Sequence, residues 1–403
     1  MQELDKHQNS DETSIEQIVL IALMMSLVAL TIDMVLPALA IIAADFGVEN
    51  DNQRQYIISA VFLGLTGGQL IYGPISDSIG RKPAISIGFI IFLVGSTLAI
   101  FSNEMSLMLW GRFFQGIGAA AMRIVLVAMI RDEKGGIAMA RILSLSMSVF
   151  ILIPCVAPLM GQGVLAISDW RSIFYVLFLV AVILWLWFLL RQPETLKHES
   201  RVSINIPSLW ARFKRVLSYN SSVKYTMALG IIQGAFIGYL VSAQQIMHDI
   251  YKVGDMFALY FAVIAFGMGI SYFLNARLVT KYGLERLISR AVVFVLVISS
   301  TLVVLSIFIE GQPPLSVFLI SMSLLLFAMG FTLGNLNALS MEPMNDLAGI
   351  ASSVLGVLAG VVAIVFGWLI GYLYNGTLIP LASGFSIAAI CALFLIRNQT
   401  QPE

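Results

Sequence analysis

Residues 18–46 read IVLIALMMSLVALTIDMVLPALAIIAADF, an apolar run that carries a carboxylate, Asp33, deep inside it. The hydrocarbon core of a bilayer takes about 20 residues of helix, so the length alone points to a membrane span. A charged group near the middle of such a span costs on the order of 3 kcal/mol even on the insertion scales most lenient to charge. Asp33 is therefore a candidate functional group, a proton carrier in one reading and a structural carboxylate tied to a neighbouring helix in the other. At about 1.5 Å per residue it lies roughly 22 Å along the helix from Ile18, with Pro37 one turn beyond.

Working outward, the chain has 403 residues, of which 59% are hydrophobic and 11% charged, and its mean hydropathy is +0.91. That composition excludes a soluble domain and implies a polytopic protein whose partner is the lipid bilayer; no nucleic-acid partner is expected. Twelve apolar segments of spanning length follow one another: 18–46, 55–73, 83–102, 105–130, 138–165, 171–191, 223–248, 257–279, 286–309, 314–340, 347–374 and 377–397. The expected fold is all-α, with twelve transmembrane helices in two six-helix bundles. Residues 1–17 form a tail, 18–191 the N-terminal bundle, 192–222 a linker, 223–397 the C-terminal bundle and 398–403 a second tail. The linker contains one short amphipathic stretch, 209–217. The first tail lacks the basic n-region of a cleaved leader, so no signal peptide is expected.

Basic residues orient the chain. Of the 23 Lys and Arg, three (Arg54, Arg171, Lys252) fall in loops on one side, two (Arg112, Arg123) lie inside span four, and the remaining 18 are on the side of the linker. The positive-inside rule makes that side, with both termini, cytoplasmic. Cys155 and Cys391 sit in apolar runs and no disulfide is expected; His7, His198 and His248 are scattered, which leaves no metal site. No phosphate-cradling G-x-x-x-x-G-K-[ST] run occurs, so direct drive by ATP is not expected. A six-plus-six plan around a central linker suits a transporter built from two similar bundles. The turns GPISDSIGRK (73–82) and NARLVTKYGLER (275–286) echo one another faintly, although the second lacks the Asp.

Gly73, Asp77, Gly80, Arg81 and Lys82, between spans two and three, resemble the signature loop of the major facilitator superfamily. The resemblance implies that Asp77 sits against the start of span eleven, near Leu347, and helps latch one conformation. In span four, Arg112-Phe113-Phe114-Gln115-Gly116 resembles the motif of that superfamily's drug:proton antiporters, where the Arg is tied to proton transfer; the other reading of Arg112 is an interfacial anchor. In span five, Pro154, Pro158 and Gly161 resemble the antiporter motif, with Ala157 and Gln162 departing from its glycines. These stretches, with TIDMVLPAL around Asp33 and the Pro-Glu-Thr after span six, look like the Bcr/CflA branch of bacterial multidrug exporters. The resemblance implies a monomer in the bacterial inner membrane, with no cofactor and the proton gradient as energy source.

Arg123 departs from that pattern. It follows Arg112 by eleven residues, so the two share a face of the helix about 16 Å apart. A second deep cation either pairs with Asp33 or binds an anionic group of the cargo. Asp33, Arg123, Gln115, Gln233 and Gln244 are the candidate substrate contacts, the last two sharing one face of span seven, where helix-to-helix hydrogen bonding is the alternative role. The expected function is proton-coupled export of small amphipathic compounds by alternating access; the alternative is a dedicated exporter of an anionic metabolite such as a carboxylate siderophore. A membrane enzyme would need a cluster of nucleophile, base or metal ligands, and the spans contain none.

Overall fold

A computed structural model describes residues 15–133, 136–202, 206–344 and 348–397. Among them the chain is helical throughout, without strands. The first half runs α1 (Ile15–Asp33), the short α2 (Leu39–Asp45), α3 (Tyr56–Ile79), α4 (Arg81–Ile100), α5 (Met105–Glu133), α6 (Gly136–Leu165) and α7 (Arg171–Arg191). After α8 (Ile206–Leu217) in the linker come α9 (Asn220–Gln245), α10 (Phe257–Tyr282), α11 (Leu284–Phe308), α12 (Leu315–Gly330), the short α13 (Leu333–Met341), α14 (Ala348–Tyr372) and α15 (Ile379–Arg397). Among the described residues eleven segments are long and apolar enough to cross a membrane, and α6 contributes a shorter apolar stretch, Leu152–Leu165. The protein is an all-α, multi-pass membrane protein of twelve spans.

Three details differ from a simple reading of hydropathy. The first span is not one helix: α1 stops at Asp33, a turn of 3-10 helix covers Leu36–Ala38, and α2 resumes at Leu39. Pro37 explains the break, because it has no N–H to donate and its ring crowds the carbonyl four residues back, that of Asp33. Span ten breaks as well, between α12 and α13, where the Thr332 hydroxyl donates to the Met329 carbonyl at 2.9 Å in competition with the helical ladder. The run 73–82, expected as a turn, is helix up to Ile79, and Gly80 alone makes the corner with φ +110°. Gly283 makes the equivalent corner between α10 and α11 with φ +78°. Both conformations favour glycine, so the faint echo between the two sequences reflects a repeated backbone device.

The halves meet along a seam of α3 against α14, antiparallel over its whole length. Gln55 faces Gly371, Thr66 faces Gly360, Gln69 faces Gly356 and Gly73 faces Ser353. A Cβ at Gly371 would lie 2.0 Å from Gln55 Oε1 and one at Gly360 2.6 Å from Thr66 Oγ1, so the glycines of α14 let these polar side chains lie against its backbone. A second seam joins α6 to α10. On the linker side, Val216 of α8 is buried with Ala351, Val354 and Leu355 of α14, which ties the linker helix to the second half.

Candidate functional site

The break in span one is the place from which the site is built. Asp33 ends α1, is 4% exposed, and among the described residues makes no hydrogen bond or ion pair. Cys155 of α6 and Tyr239 of α9 lie within electrostatic range of it. Tyr239 is fully buried, its ring stacked on Phe261 with centroids 5.8 Å apart, and its hydroxyl has no partner among the described residues. The carboxylate thus sits where the first half meets the second.

Gly161 lets α6 close on the break, since a Cβ there would be 2.1 Å from the Met34 carbonyl oxygen. Pro154 and Pro158 lie within the same helix, which continues through them. Gly161→Ala is expected to cost about 1–3 kcal/mol through overpacking against backbone that cannot yield. The check is the melting temperature of the purified protein in detergent: an unchanged value would mean that the α1–α2 break moves freely.

Arg112 is fully buried and unpaired with any carboxylate among the described residues. Its guanidinium donates through Nη2 to the Thr31 carbonyl at 2.7 Å, through Nε to the Ile57 carbonyl at 3.2 Å and through Nη1 to Gln115 Oε1 at 2.7 Å. Phe174 covers it, 5.6 Å from ring centroid to the guanidinium carbon. Gln115 in turn donates to Ser96 Oγ at 2.8 Å and is fully buried. Gln115 therefore braces Arg112 rather than facing a cavity, and Arg112 holds the end of α1 at the backbone two residues before Asp33. An interfacial, outward-snorkelling Arg112 is excluded by its burial.

Arg123 behaves differently. It is exposed although Met122 beside it is fully buried, and it has no ion pair or hydrogen bond among the described residues. It does not pair with Asp33. Gln244 is buried with Oε1 unpartnered, and Gln233 is half-buried.

At the corner around Gly80, Arg81 is buried and pairs with Asp77 and, at 2.8 Å, with Asp132 at the end of α5. Glu194, just past α7, accepts from the backbone N–H of Arg81 at 2.9 Å and of Lys82 at 3.0 Å, which satisfies the start of α4 with a carboxylate. Lys82 Nζ donates to the Leu189 carbonyl at 2.8 Å. Gly73 touches Ser353 of α14, whereas Leu347, the expected neighbour of Asp77, lies outside the described residues.

Sequence reasoning missed a polar cluster on the side away from the linker, where the two halves are joined. Arg54 pairs with Asp249, Gln55 donates to Gln245 at 2.7 Å, and Gln245 donates to Asn52 at 2.8 Å. Asn52 donates to the Tyr374 carbonyl at 3.0 Å, and Gln162 donates to Asp255 at 3.1 Å. Burial, and secondarily the Asp249 carboxylate, raises the Tyr374 hydroxyl above the usual tyrosine range, so it stays protonated. Among the described residues no ion pair joins the halves on the linker side. The partners are 195 residues apart in sequence for Arg54 and Asp249, and only the placement of Arg54 outside the basic side hinted at them.

Comparison with known proteins agrees with this architecture. The family model described as Major Facilitator Superfamily matches residues 21–367. A bicyclomycin resistance protein homolog of Haemophilus influenzae is 27% identical over 351 residues, 87% of this chain and 87% of that one. The multidrug resistance protein MdtL of Salmonella paratyphi A is 28% identical over 373 residues, covering 91% of each chain. The crystal structure of a D-xylose-proton symporter superposes with a TM-score of 0.76 at 13% identity, over 94% of this chain and 96% of that one, a likeness of fold. With twelve spans, two halves joined by seams and a buried carboxylate between them, the chain is a transporter rather than an enzyme, and it belongs to the major facilitator superfamily.

Proposed function

We propose that this transporter exports small amphipathic compounds in exchange for protons by alternating access, from the bacterial inner membrane, with both termini cytoplasmic and the monomer as the working unit. The observation that carries the reading is Asp33: a carboxylate at a helix break, buried, without a counter-ion among the described residues, and bordered by both halves. Such a group is best tolerated when it takes up a proton in one phase of the cycle and gives it up in another. Arg112 positions the backbone that presents it. No cofactor is needed, since the gradient supplies the energy, and resistance proteins among the relatives favour export as the direction. The test is ethidium accumulation in inverted membrane vesicles. The reading expects accumulation that follows the pH gradient and collapses with a protonophore; accumulation indifferent to the gradient would contradict it.

The Asp77–Arg81–Asp132 group is proposed as the conformational latch on the linker side. Asp77→Asn is expected to slow turnover several-fold, since a charge–dipole or exposed ion-pair contribution of up to about 1 kcal/mol shifts a balanced two-state ratio by that much. Affinity measured in a fixed conformation should hardly move. Cysteine labelling from the two faces checks this, and unchanged labelling would remove the latch role.

A further inference from the structure

Arg123 and Tyr272 form a second polar locus that proton coupling does not use. Arg123 lies ten residues before the linker-side end of α5, and Tyr272 ten residues before that of α10. Each is therefore about 15 Å from the linker-side end of its helix, at one common depth. Asp33, 18 residues into α1, lies about 12 Å further from that side. Among the described residues Tyr272, from the other half of the molecule, lies within electrostatic range of Arg123. The Tyr272 hydroxyl, like the guanidinium, has no hydrogen bond to a described residue.

The face on which Arg123 sits decides what it meets. Trp110 is 58% exposed, and at seven-residue steps Ile117 and Ile124 continue that stripe as half-buried residues, the lipid-facing side of α5. At 100° per residue Arg123 points about 100–140° away from the residues of that stripe and within about 20° of Arg112, whose guanidinium reaches the first span. Its exposure is therefore to the space between the halves. That space is sealed on the far side by the Arg54–Asp249 group, with no ion pair closing it on the linker side among the described residues. An uncompensated guanidinium at this depth is costly, and its planar fork of donors matches a carboxylate in two parallel hydrogen bonds.

We infer that Arg123 and Tyr272 form an anion subsite that takes the carboxylate of an amphipathic organic acid entering from the linker side. The inference deepens the exporter reading, and rests on it for the claim that the bound acid is cargo. Because one donor comes from each half, a bound carboxylate also bridges α5 and α10. It thereby couples occupancy to the relative position of the two bundles.

The test uses the full-length protein in a neutral detergent and two fluorescent probes, 11-(dansylamino)undecanoate and its primary carboxamide, at pH 7.5. The wild-type protein is expected to bind the acid about tenfold or more tightly than the amide, the size of a charge-assisted contact. Arg123→Gln should bring that ratio to about one and Arg123→Lys should restore part of it, since a point charge replaces the fork. Tyr272→Phe should lower the ratio about threefold, and it carries the test if Arg123→Gln does not elute as a monodisperse species. Equal affinity for the two probes in the wild-type protein, or an undiminished ratio in Arg123→Gln, overturns the inference. Gradient-driven ethidium export by the wild-type protein is measured alongside. Its absence would sink the exporter reading, whereas the acid-to-amide ratio judges the subsite by itself.

Discussion

Asp33→Asn is expected to reduce export driven by a pH gradient to background, a drop of at least about a hundredfold, corresponding to about 2.7 kcal/mol or more. The substitution keeps the size and most of the hydrogen-bonding shape of the side chain but removes the exchangeable proton. Since Asp33 has no counter-ion among the described residues, its neutral replacement strands no partner charge, and the fold should hold. Ethidium equilibration down its own concentration gradient should therefore persist in proteoliposomes. Loss of both activities would mean that Asp33 is structural; survival of uphill export would mean that the proton is carried elsewhere.

Cutting the far-side latch should have the second largest effect. The Arg54 side chain is 5% exposed and that of Asp249 32%, so the pair is partly withdrawn from water and stronger than a surface contact. Arg54→Gln removes the charge that holds the second half and leaves Asp249 with only the neighbouring His248 ring, at 3.0 Å. The far side is expected to open more often by about tenfold, equivalent to about 1.4 kcal/mol. Cys155, close to Asp33, reports on this directly in a Cys391→Ser background: a membrane-impermeant thiol reagent applied from the far side should label it about tenfold faster in Arg54→Gln. Asp249→Asn should act in the same direction but more weakly, because the amide oxygen still accepts from Arg54. Unchanged labelling in both variants would show that the glutamine and asparagine bonds alone keep the side shut.

Much of the fold was legible in the chain because a bilayer leaves few solutions. Among the described residues every apolar run of spanning length is built of helix, and the basic residues gather on the face that carries the linker. The breaks were less legible. Pro37 was visible, but hydropathy rises through Leu36–Ala38 without a dip, so residues 18–46 read as one span although the backbone interrupts it. The break after Gly330 has no proline to announce it and depends on a threonine hydroxyl. Candidate site residues stand out in the sequence when their charge is anomalous for its depth, as with Asp33, Arg112 and Arg123. What each of them touches does not. Gln115 has the side chain of a cargo contact, yet Arg112 of its own helix and Ser96 of α4 claim the two ends of its amide. The far-side cluster was invisible because Asn52, Gln55 and Gln245 are unremarkable in composition, and they meet only when the halves are assembled.

If Asp33 exchanges its proton for cargo, that proton leaves when cargo binds. Purified protein in lightly buffered detergent at pH 7, with a pH-sensitive dye, measures this in one step on addition of saturating ethidium. Release of about one proton per molecule from the wild-type protein, and none from Asp33→Asn, is the result expected of a shared site in which cargo and proton exclude one another. Equal release from both proteins, or no release from the wild-type protein while ethidium demonstrably binds, would contradict it.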